Sequence, residues 1–376
     1  MDPRTPVVVA ARRTPVATAG RGLAGLDAAA LAAPVLAAVH AVLPAGTCLD
    51  DVLLGNCCGP GGDVARVAAL AAGLGPAVPG VTVDRQCGAG LEALRLAAAL
   101  VRAGDARVVL AGGTESATHA RDGGARAAFT PPGWPDPGMG AAADTLAAQA
   151  GVSRERQDAY AQRSHRLAVA SAADGVFDAE LVALAGCARD DRPRPRLDAT
   201  VLGRMPAAFV PGGTVTAGNS CGINDGAAAL AVLPAADADG AAGLRVLATA
   251  VAGVDPALPG LGPVPAVRAV LERAGLPLAA VDVVEITEAF AAQVLACTDA
   301  LGLDPLGADD ARVCPEGGAI ALGHPWGASG ALLVVRLFSA LVRRRLGRYG
   351  LAACAVGGGQ GVAVLVEAID GEVLAA

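Results

Sequence analysis

Three glycine-rich segments decide the fold of this chain: DRQCGAGLEAL (Asp84–Leu94), GGAIALGHPWGASG (Gly317–Gly330) and VGGGQG (Val356–Gly361). The first two carry Cys87 and His324, each in a turn that leads into an apolar stretch of helical character. Each stretch is followed by a strand-like segment and a glycine run, Gly112–Gly113 in one case and Gly357–Gly359 in the other. This repeated order predicts an internal duplication.

Strand-like and helical segments alternate on both sides of a stretch of different character. The strand-like runs include Val7–Val9, Asp51–Leu54 and Arg107–Leu110 in the first series, and Leu351–Val356 and Val362–Glu367 in the second. Alternation of this kind predicts an α/β fold with a parallel-type sheet and helices on its faces.

The stretch between the two series is rich in Gly and Pro around a polar amphipathic helix, Ser153–Ala173. We interpret it as an insertion over the active face. The predicted domains are an N-terminal domain (1–117 with 222–243), an inserted loop domain (118–221) and a C-terminal domain (244–376).

The composition excludes several classes of protein. Of the 376 residues 53% are hydrophobic but only 2% are aromatic, which predicts close helix–sheet packing through small side chains. No residue is Lys, so Schiff-base and P-loop lysines are excluded, and a net charge of −7 without a basic stretch argues against nucleic acid. Nine cysteines without paired CxxC spacing fit a reducing compartment and argue against a disulfide framework or a zinc site. With no basic and apolar signal at the N-terminus, we expect a cytoplasmic protein without a membrane span.

Cys87 and His324 are the best candidates for chemistry. Helix N-termini lower thiol pKa values and bind developing oxyanions, so we expect an activated Cys87 with His324 as its base. We interpret His40 and His165, which lie in helical stretches, as structural, and His119 stays ambiguous. The glycines of Gly20–Gly25 match GxGxxG but lie too far beyond the first strand for a dinucleotide site.

The chain resembles the thiolases, acyl-CoA acyltransferases of the thiolase superfamily, nearly from end to end. The resemblance rests on long, near-literal segments: RRTP (Arg12–Pro15), AGGTES (Ala111–Ser116), GTVTAGNSCGINDGAAAL (Gly213–Leu230), GVDPALPGLGPVPA (Gly253–Ala266), TEAFA (Thr287–Ala291), GGAIALGHPWGASG and GGGQG. It implies a duplicated five-layered αβαβα fold with an inserted loop domain that holds coenzyme A, and a homodimer or homotetramer.

The resemblance also implies a ping-pong mechanism. Cys87 would take the acyl group from a coenzyme A thioester, and His324 would activate Cys87 and help hold the thioester oxygen. No permanently bound cofactor is implied. The pantetheine arm would pass residues at the family's contact positions, which are Met139, Phe209, Ala217, Cys221, Ile223, Ala289 and Phe290.

The chain departs from the thiolase pattern at positions that serve the second half-reaction. Thiolases take a proton from the incoming acetyl-CoA with a second cysteine two residues before GGG, and this position is Ala355. The neighbouring Cys354 faces the opposite side of a strand and cannot replace it without a register slip. The Asn that holds a catalytic water is Thr287, whose shorter hydroxyl would hold a water only in a shifted position. We leave Glu316, Cys354 and Cys314 as candidate replacement bases.

Other departures concern the substrate. Trp326 replaces the usual Ile after GHP and indicates a reshaped acceptor pocket. The insertion is shorter than usual between Ala185 and Met205, where thiolases hold the nucleotide end of coenzyme A. An acyl carrier protein, which presents the same arm without the nucleotide, is therefore an alternative to acyl-CoA.

Our leading hypothesis is a thiolase-family acyltransferase that forms an acyl-Cys87 enzyme. One alternative is a diverged biosynthetic acyltransferase or a thioester hydrolase, because neither needs a carbon acid or a second cysteine. The other alternative is a non-catalytic subunit that supports an active partner.

Overall fold

The structure is a computed structural model that describes residues 2–120, 127–238 and 240–374. The described strands are β1 (Pro6–Arg13), β2 (Ala17–Thr18), β3 (Asp51–Gly55), β4 (Val81–Val83), β5 (Val109–Ser116), β6 (Asn224–Pro234), β7 (Gly243–Gly253), β8 (Val283–Ile286), β9 (Tyr349–Val356) and β10 (Gln360–Ile369). The described α-helices are α1 (Ala28–Ala41), α2 (Val64–Ala71), α3 (Ala89–Ala103), α4 (Met139–Ala150), α5 (Arg154–Ala173), α6 (Ala199–Gly203), α7 (Pro263–Ala274), α8 (Ala291–Leu301), α9 (Ala319–Leu322) and α10 (Trp326–Leu337).

The strands form two matching halves of one sheet path. The first half has the order β4-β3-β5-β6-β1 and the second has β7-β10-β9-β8, with the halves joined where Val7 and Val8 pair with Arg245 and Leu244. In the second half an isolated parallel bridge from Val313 to β8 takes the place that β4 has in the first. The predicted parallel-type sheet is only partly correct. Strands β3, β4 and β5 are mutually parallel and β8 is parallel to β9, but the other main pairings are antiparallel.

Helices cover both faces of each half, which gives five layers. Helices α1 and α2 pack on the outer face of the first half, and α7 and α8 pack on the outer face of the second. Helices α3 and α10 lie between the halves. The strand period explains this, because Val362, Val364 and Val366 of β10 face the central helices while Ala363 and Leu365 face α7 and α8. The predicted duplicated αβαβα fold is confirmed.

Glycines set the close approach of the two central helices. A Cβ on Gly90 of α3 would lie 2.8 Å from the backbone nitrogen of Ala331, and one on Gly330 of α10 would lie 2.4 Å from that of Leu91. Neither position has room for a side chain. The crossing therefore brings together the two turns that precede these helices, those of Cys87 and His324.

Helices α4, α5 and α6 lie between β5 and β6 in the sequence, within the predicted insertion. Buried ion pairs hold this segment against the body of the molecule. Glu180 bonds Arg13 of β1 at 2.8 Å and also pairs with Arg336 of α10. Both arginines also lie against the ring of Phe177, so the segment is fixed beside the helix that follows His324.

Within the described residues, one stretch is long and apolar enough to cross a membrane, namely Trp326–Arg343. It consists of α10 and the π-helical turn that continues it. Since 83% of this stretch is buried between the two halves, its apolar character is explained by the core.

Candidate active site

Cys87 lies in a 3-10 turn, Gln86–Gly88, directly before α3. The turn holds Gln86 at φ +47°, a left-handed conformation that is uncommon for a residue with a side chain. Two contacts fix it: the Gln86 amide donates to Asp84 Oδ1 at 2.7 Å, and Arg85 bonds Gln360 Oε1 at 2.6 Å. The thiol therefore sits at a constrained helix start, at the place the sequence predicts.

His324 is positioned by its neighbours on both sides. Gly323 has a φ of +113°, and a Cβ there would lie 2.6 Å from Val16. The amide of His324 donates to Asn224 Oδ1 at 2.9 Å. A side chain at 323 would push the loop away from Val16 and Asn224, so glycine is required for this approach.

Ser329 determines which nitrogen of His324 carries the proton. The hydroxyl of Ser329 donates its one hydrogen to the carbonyl of Pro325 at 3.0 Å. It must therefore accept the 2.6 Å hydrogen bond from His324 Nδ1. We therefore assign the proton to Nδ1, which leaves a free lone pair on Nε2.

The Nε2 atom is buried and has no hydrogen-bond partner among the described residues. Burial lowers the pKa of His324 to about 4, because the imidazolium form would lose its hydration. The ring is therefore neutral at pH 7, and Nε2 is available as a base.

Cys87 and His324 line one largely apolar cleft. Its described lining consists of Cys87, Met139, Ala142, Ala143, Leu146, Cys221, Pro259, Gly260, Ala289, Phe290, Gln293, His324, Trp326, Ala355, Val356 and Gly357. Three of these side chains titrate, namely Cys87, Cys221 and His324. Burial raises the pKa of Cys221 to about 12, so this thiol is protonated at neutral pH.

Burial also raises the pKa of Cys87 well above its ordinary value, and the neighbouring Cys354 and Cys221 add to the rise. The prediction that the helix start lowers this pKa is wrong. A helix N-terminus contributes roughly 0.3–1 kcal/mol, whereas burial of a charged group can shift a pKa by about 3–5 units. No hydrogen bond among the described residues joins this thiol to His324. The two groups are thus a neutral thiol and a neutral imidazole.

The residues predicted to contact the pantetheine arm fall into two groups. Met139, Cys221, Ala289 and Phe290 line the cleft together with Cys87 and His324. The other three do not line it: Phe209, Ala217 and Ile223. Of these, Ala217 and Ile223 are exposed, while the half-exposed ring of Phe209 packs edge-on against Phe290 at 5.8 Å. The first group defines the wall of the cleft, and the role of the second stays a prediction.

Thr287 is not part of the cleft lining. Its hydroxyl is buried and has no hydrogen-bond partner among the described residues, and the residue lines a different cavity. Thr287 also lies near the thiol of Cys354. Burial raises the pKa of this thiol to about 12, and the Thr287 hydroxyl opposes the rise. Thr287 thus belongs to the polar interior beside the cleft, and its role in holding a water in a shifted position stays a prediction.

The three candidate replacement bases also lie elsewhere. Cys354 is fully buried and its thiol donates to the carbonyl oxygen of Cys87 at 3.2 Å. Glu316 pairs with Arg336 at 2.7 Å and with Arg344. Cys314 is buried and donates to the carbonyl of Ile286 at 3.4 Å. None of the three is in the described lining of the cleft, so a role for any of them as the base has no support from this geometry and stays a prediction.

Ala355 presents its methyl group to the cleft, where a longer side chain would reach substrate. Its neighbour Cys354 points to the other face of β9, as the strand period predicts. The ladder to β10 runs without a shift through this point, with Gly361 opposite Ala355 and Val362 opposite Cys354. No register slip brings the thiol into the cleft.

Sequence reasoning missed two polar residues of this region. Gln293 lines the cleft from the first turn of α8, and its buried Oε1 has no partner among the described residues. Ser329 sets the tautomer of His324. The five-residue spacing from His324 to Ser329 was visible in the sequence, but nothing there signals Gln293, which reaches the cleft through tertiary packing alone.

One described group has the side chains of a metal site: Cys57, Cys58 and Glu115. The two thiols lie 3.8 Å apart. Both oxygens of Glu115 already accept hydrogen bonds, among them those from the amides of Cys57, Cys58 and Gly327. We assign this carboxylate the structural role of tying the turn after β3 to the first turn of α10.

Comparison with known proteins gives consistent matches along the chain. The family model for the thiolase N-terminal domain matches residues 6–131 and 134–236, and that for the thiolase C-terminal domain matches residues 241–368. The putative acetyl-CoA C-acetyltransferase YhfS of Bacillus subtilis is 42% identical over 346 residues, covering 90% of this chain and 92% of the relative. A beta-ketoadipyl-CoA thiolase of Escherichia coli is 40% identical, covering 95% of this chain and 98% of the relative. The crystal structure of the Bacillus anthracis acetyl-CoA acetyltransferase matches with a TM-score of 0.88 and 37% identity, covering 97% of this chain and 99% of that one.

Proposed function

The chain belongs to the thiolase family, and from that premise we propose that it transfers acyl groups through an acyl-Cys87 intermediate formed from an acyl-CoA thioester. Family membership makes it an acyltransferase that acts on acyl-CoA. The observation that carries the proposal is the pairing of one thiol, Cys87, with one neutral imidazole, His324, in a single apolar cleft.

In the first half-reaction the sulfur of Cys87 attacks the thioester carbonyl. His324 Nε2 takes the thiol proton as the carbon–sulfur bond forms, because a free thiol with a raised pKa is a weak nucleophile. The tetrahedral intermediate then collapses, the bond to coenzyme A breaks, and His324 returns the proton to the departing thiolate. Ser329 keeps Nδ1 protonated throughout. The other ring nitrogen, Nε2, therefore serves first as the base and then as the acid.

The second half-reaction depends on which side chains line the cleft near Cys87. Condensation with acetyl-CoA needs a base for a carbon acid, and the side chain at 355 is a methyl group. His324 is the one neutral base in the described lining, and Cys221 is protonated. We therefore propose that the acyl group passes preferentially to an oxygen, nitrogen or sulfur nucleophile, or to water. Because several similar proteins are named thiolases, carbon–carbon condensation is the second candidate for this half-reaction.

Several expectations stay predictions at this point. They are the cytoplasmic location, the homodimer or homotetramer, and an acyl carrier protein as the alternative acyl donor. The predicted domain limits, with the insertion at 118–221, likewise remain our proposal for how the chain divides.

Intact-mass spectrometry after mixing with acetyl-CoA tests the first half-reaction. We expect an adduct of one acetyl group that disappears in Cys87→Ala and persists in Cys48→Ala, a matched change at an exposed cysteine. If no acyl-CoA and no acyl carrier protein gives an adduct on Cys87, the acyltransferase mechanism fails and the non-catalytic subunit takes its place.

The variant Ala355→Cys tests the second half-reaction. We expect it to raise the rate of acetoacetyl-CoA cleavage by about 100-fold or more, since loss of one acid/base group typically costs roughly 10²–10⁴ in rate. A wild-type enzyme that cleaves acetoacetyl-CoA as fast as the variant would show that Ala355 is not the limiting position.

A further inference from the structure

A second cavity lies behind His324 and shares no lining residue with the cleft. It has a volume of about 40 Å³ and is lined mainly by Arg13, Val16, Glu285, Thr287, Gly317, Gly318, Ala319, Leu322, Gly323, Ser329, Leu332, Leu333 and Arg336. A buried water needs roughly 10–15 Å³ of such space and two to four polar partners. The cavity is large enough for about two or three waters.

Three of its polar lining atoms lack a protein partner among the described residues. They are Glu285 Oε1, Thr287 Oγ1 and Arg336 Nε. The three residues are between 1% and 4% exposed. Buried polar atoms in folded proteins are almost always hydrogen-bonded, to water where protein groups do not reach them. Three such atoms around one small cavity therefore point to a ligand that both donates and accepts hydrogen bonds.

The charges around the cavity are already paired, so an ion is not the ligand that they favour. Arg336 binds Glu180 and Glu316, and Arg13 binds Glu180 and Asp190. Burial raises the pKa of Glu285 well above its ordinary value, which favours the neutral form of this carboxyl group. A neutral carboxylic acid, a threonine hydroxyl and one guanidinium N–H match the donors and acceptors of water.

The cavity reaches the active site through Ser329. This side chain lines the cavity and also accepts the hydrogen bond from Nδ1 of His324. A serine oxygen accepts two hydrogen bonds, and one acceptor position remains after His324. Water in the cavity can donate to that position and hold the Ser329 hydroxyl in its orientation toward Pro325.

We propose that this cavity binds a small cluster of ordered waters, and that Thr287 and Glu285 act through them and Ser329 as positioning residues for His324. Thr287, which the sequence associates with a water in a shifted position, then acts through the cavity that Ser329 also lines. The expected effect on kinetics rests on the proposed acyl transfer at Cys87. The presence of waters in the cavity does not depend on that function.

The test combines a crystal structure that resolves buried waters with transient acylation kinetics. We expect at least two waters in the cavity, with one bonded to Thr287 Oγ1. Thr287→Val removes the hydroxyl at nearly constant shape and should slow Cys87 acylation by acetyl-CoA about 3- to 10-fold at saturation, with the half-saturating concentration unchanged. Thr287→Ser keeps the hydroxyl and should retain most of the rate.

Thr298→Val is the matched control, because Thr298 is equally buried but bonds the carbonyl of Leu295 in α8, away from this cavity. A dry cavity in the crystal overturns the proposal. So does a Thr287→Val enzyme that acylates like the Thr298→Val control. If wild-type Cys87 forms no adduct at all, the proposed function fails, and the crystal structure still decides whether the cavity holds water.

Discussion

The charge state of the active-site pair predicts how the reactivity of Cys87 depends on pH. Burial raises the pKa of the thiol above its ordinary value and lowers that of His324 to about 4. The other titratable groups that act on the thiol are Cys354, Cys221, Cys58 and Glu115, and all four raise its pKa further. At neutral pH the pair is therefore thiol and imidazole, not thiolate and imidazolium.

Alkylation by iodoacetamide measures the thiolate directly, because the thiolate is the nucleophile. Below the pKa the thiolate fraction rises tenfold per pH unit. Since His324 stays neutral above about pH 5, nothing else in the pair changes charge between pH 6 and 9. We expect the alkylation rate of Cys87 to rise about 1,000-fold over this range.

Acylation by acyl-CoA should behave differently. His324 takes the proton during attack, so the rate needs the neutral imidazole and not a preformed thiolate. We expect a nearly constant acylation rate between pH 6 and 8 in the wild type. In His324→Asn the base is absent, and acylation should follow the thiolate fraction with the tenfold slope.

The assay is quantitative mass spectrometry of the Cys87 peptide, with the exposed Cys48 as an internal reference for reagent and pH. An alkylation rate that is flat between pH 6 and 8 would contradict a neutral thiol–imidazole pair, because a plateau is the signature of a thiolate–imidazolium pair. In that case the helix start would outweigh burial after all.

Three further predictions concern stability and are read from urea unfolding. Gly90→Ala should destabilise the fold by about 1–3 kcal/mol, because the added methyl group meets the backbone of α10. The control Gly203→Ala has open space around the added methyl group and should be neutral or slightly stabilising. Equal effects of the two variants on the free energy of unfolding would contradict the close helix crossing. Glu180→Gln should cost about 3–5 kcal/mol by leaving two buried arginines incompletely paired, and a cost below about 1 kcal/mol would count against that network. Burial and two nearby arginines lower the pKa of His165 to about 4, so the wild type loses stability as pH falls below the unfolded value near 6.5. The free-energy difference between His165→Gln and wild type should therefore shift by about 2 kcal/mol between pH 7.5 and 5, and an unchanged difference would exclude a buried neutral ring.

Much of the fold was predictable because it repeats a local pattern. The glycine turn, long helix, strand and second glycine run occur twice in the sequence. In the structure each copy belongs to one half of the sheet. The direction of the strands was not predictable in the same way. An antiparallel β6 or β10 reads in the sequence like a buried parallel strand, since both are apolar on two faces when helices cover them.

Side-chain partners explain what the sequence could not show about the site. Glu316 resembles a free base in the sequence, but Arg336 and Arg344 approach it from α10 and the segment after it. The pKa of Cys87 depends on how much protein surrounds the thiol, and no local motif encodes that. Cys87 and His324 could be found because each lies in a turn whose glycines are needed for its geometry.

The spacing to GGG singles out Ala355, and the two-residue period of β9 places Ala355 and Cys354 on opposite faces of the strand. In β9 the thiol of Cys354 and the methyl group of Ala355 are neighbours, and in a strand a shift of one position changes the face of the sheet. On the cleft side residue 355 offers only a methyl group, and His324 is the one neutral base in the described lining. On the other side the thiol of Cys354 contacts the Cys87 carbonyl from within the core, where burial raises its pKa to about 12. We propose that Ala355 limits carbon–carbon chemistry at this site, and Ala355→Cys, which places a thiol on the cleft side of β9, is the change that tests it.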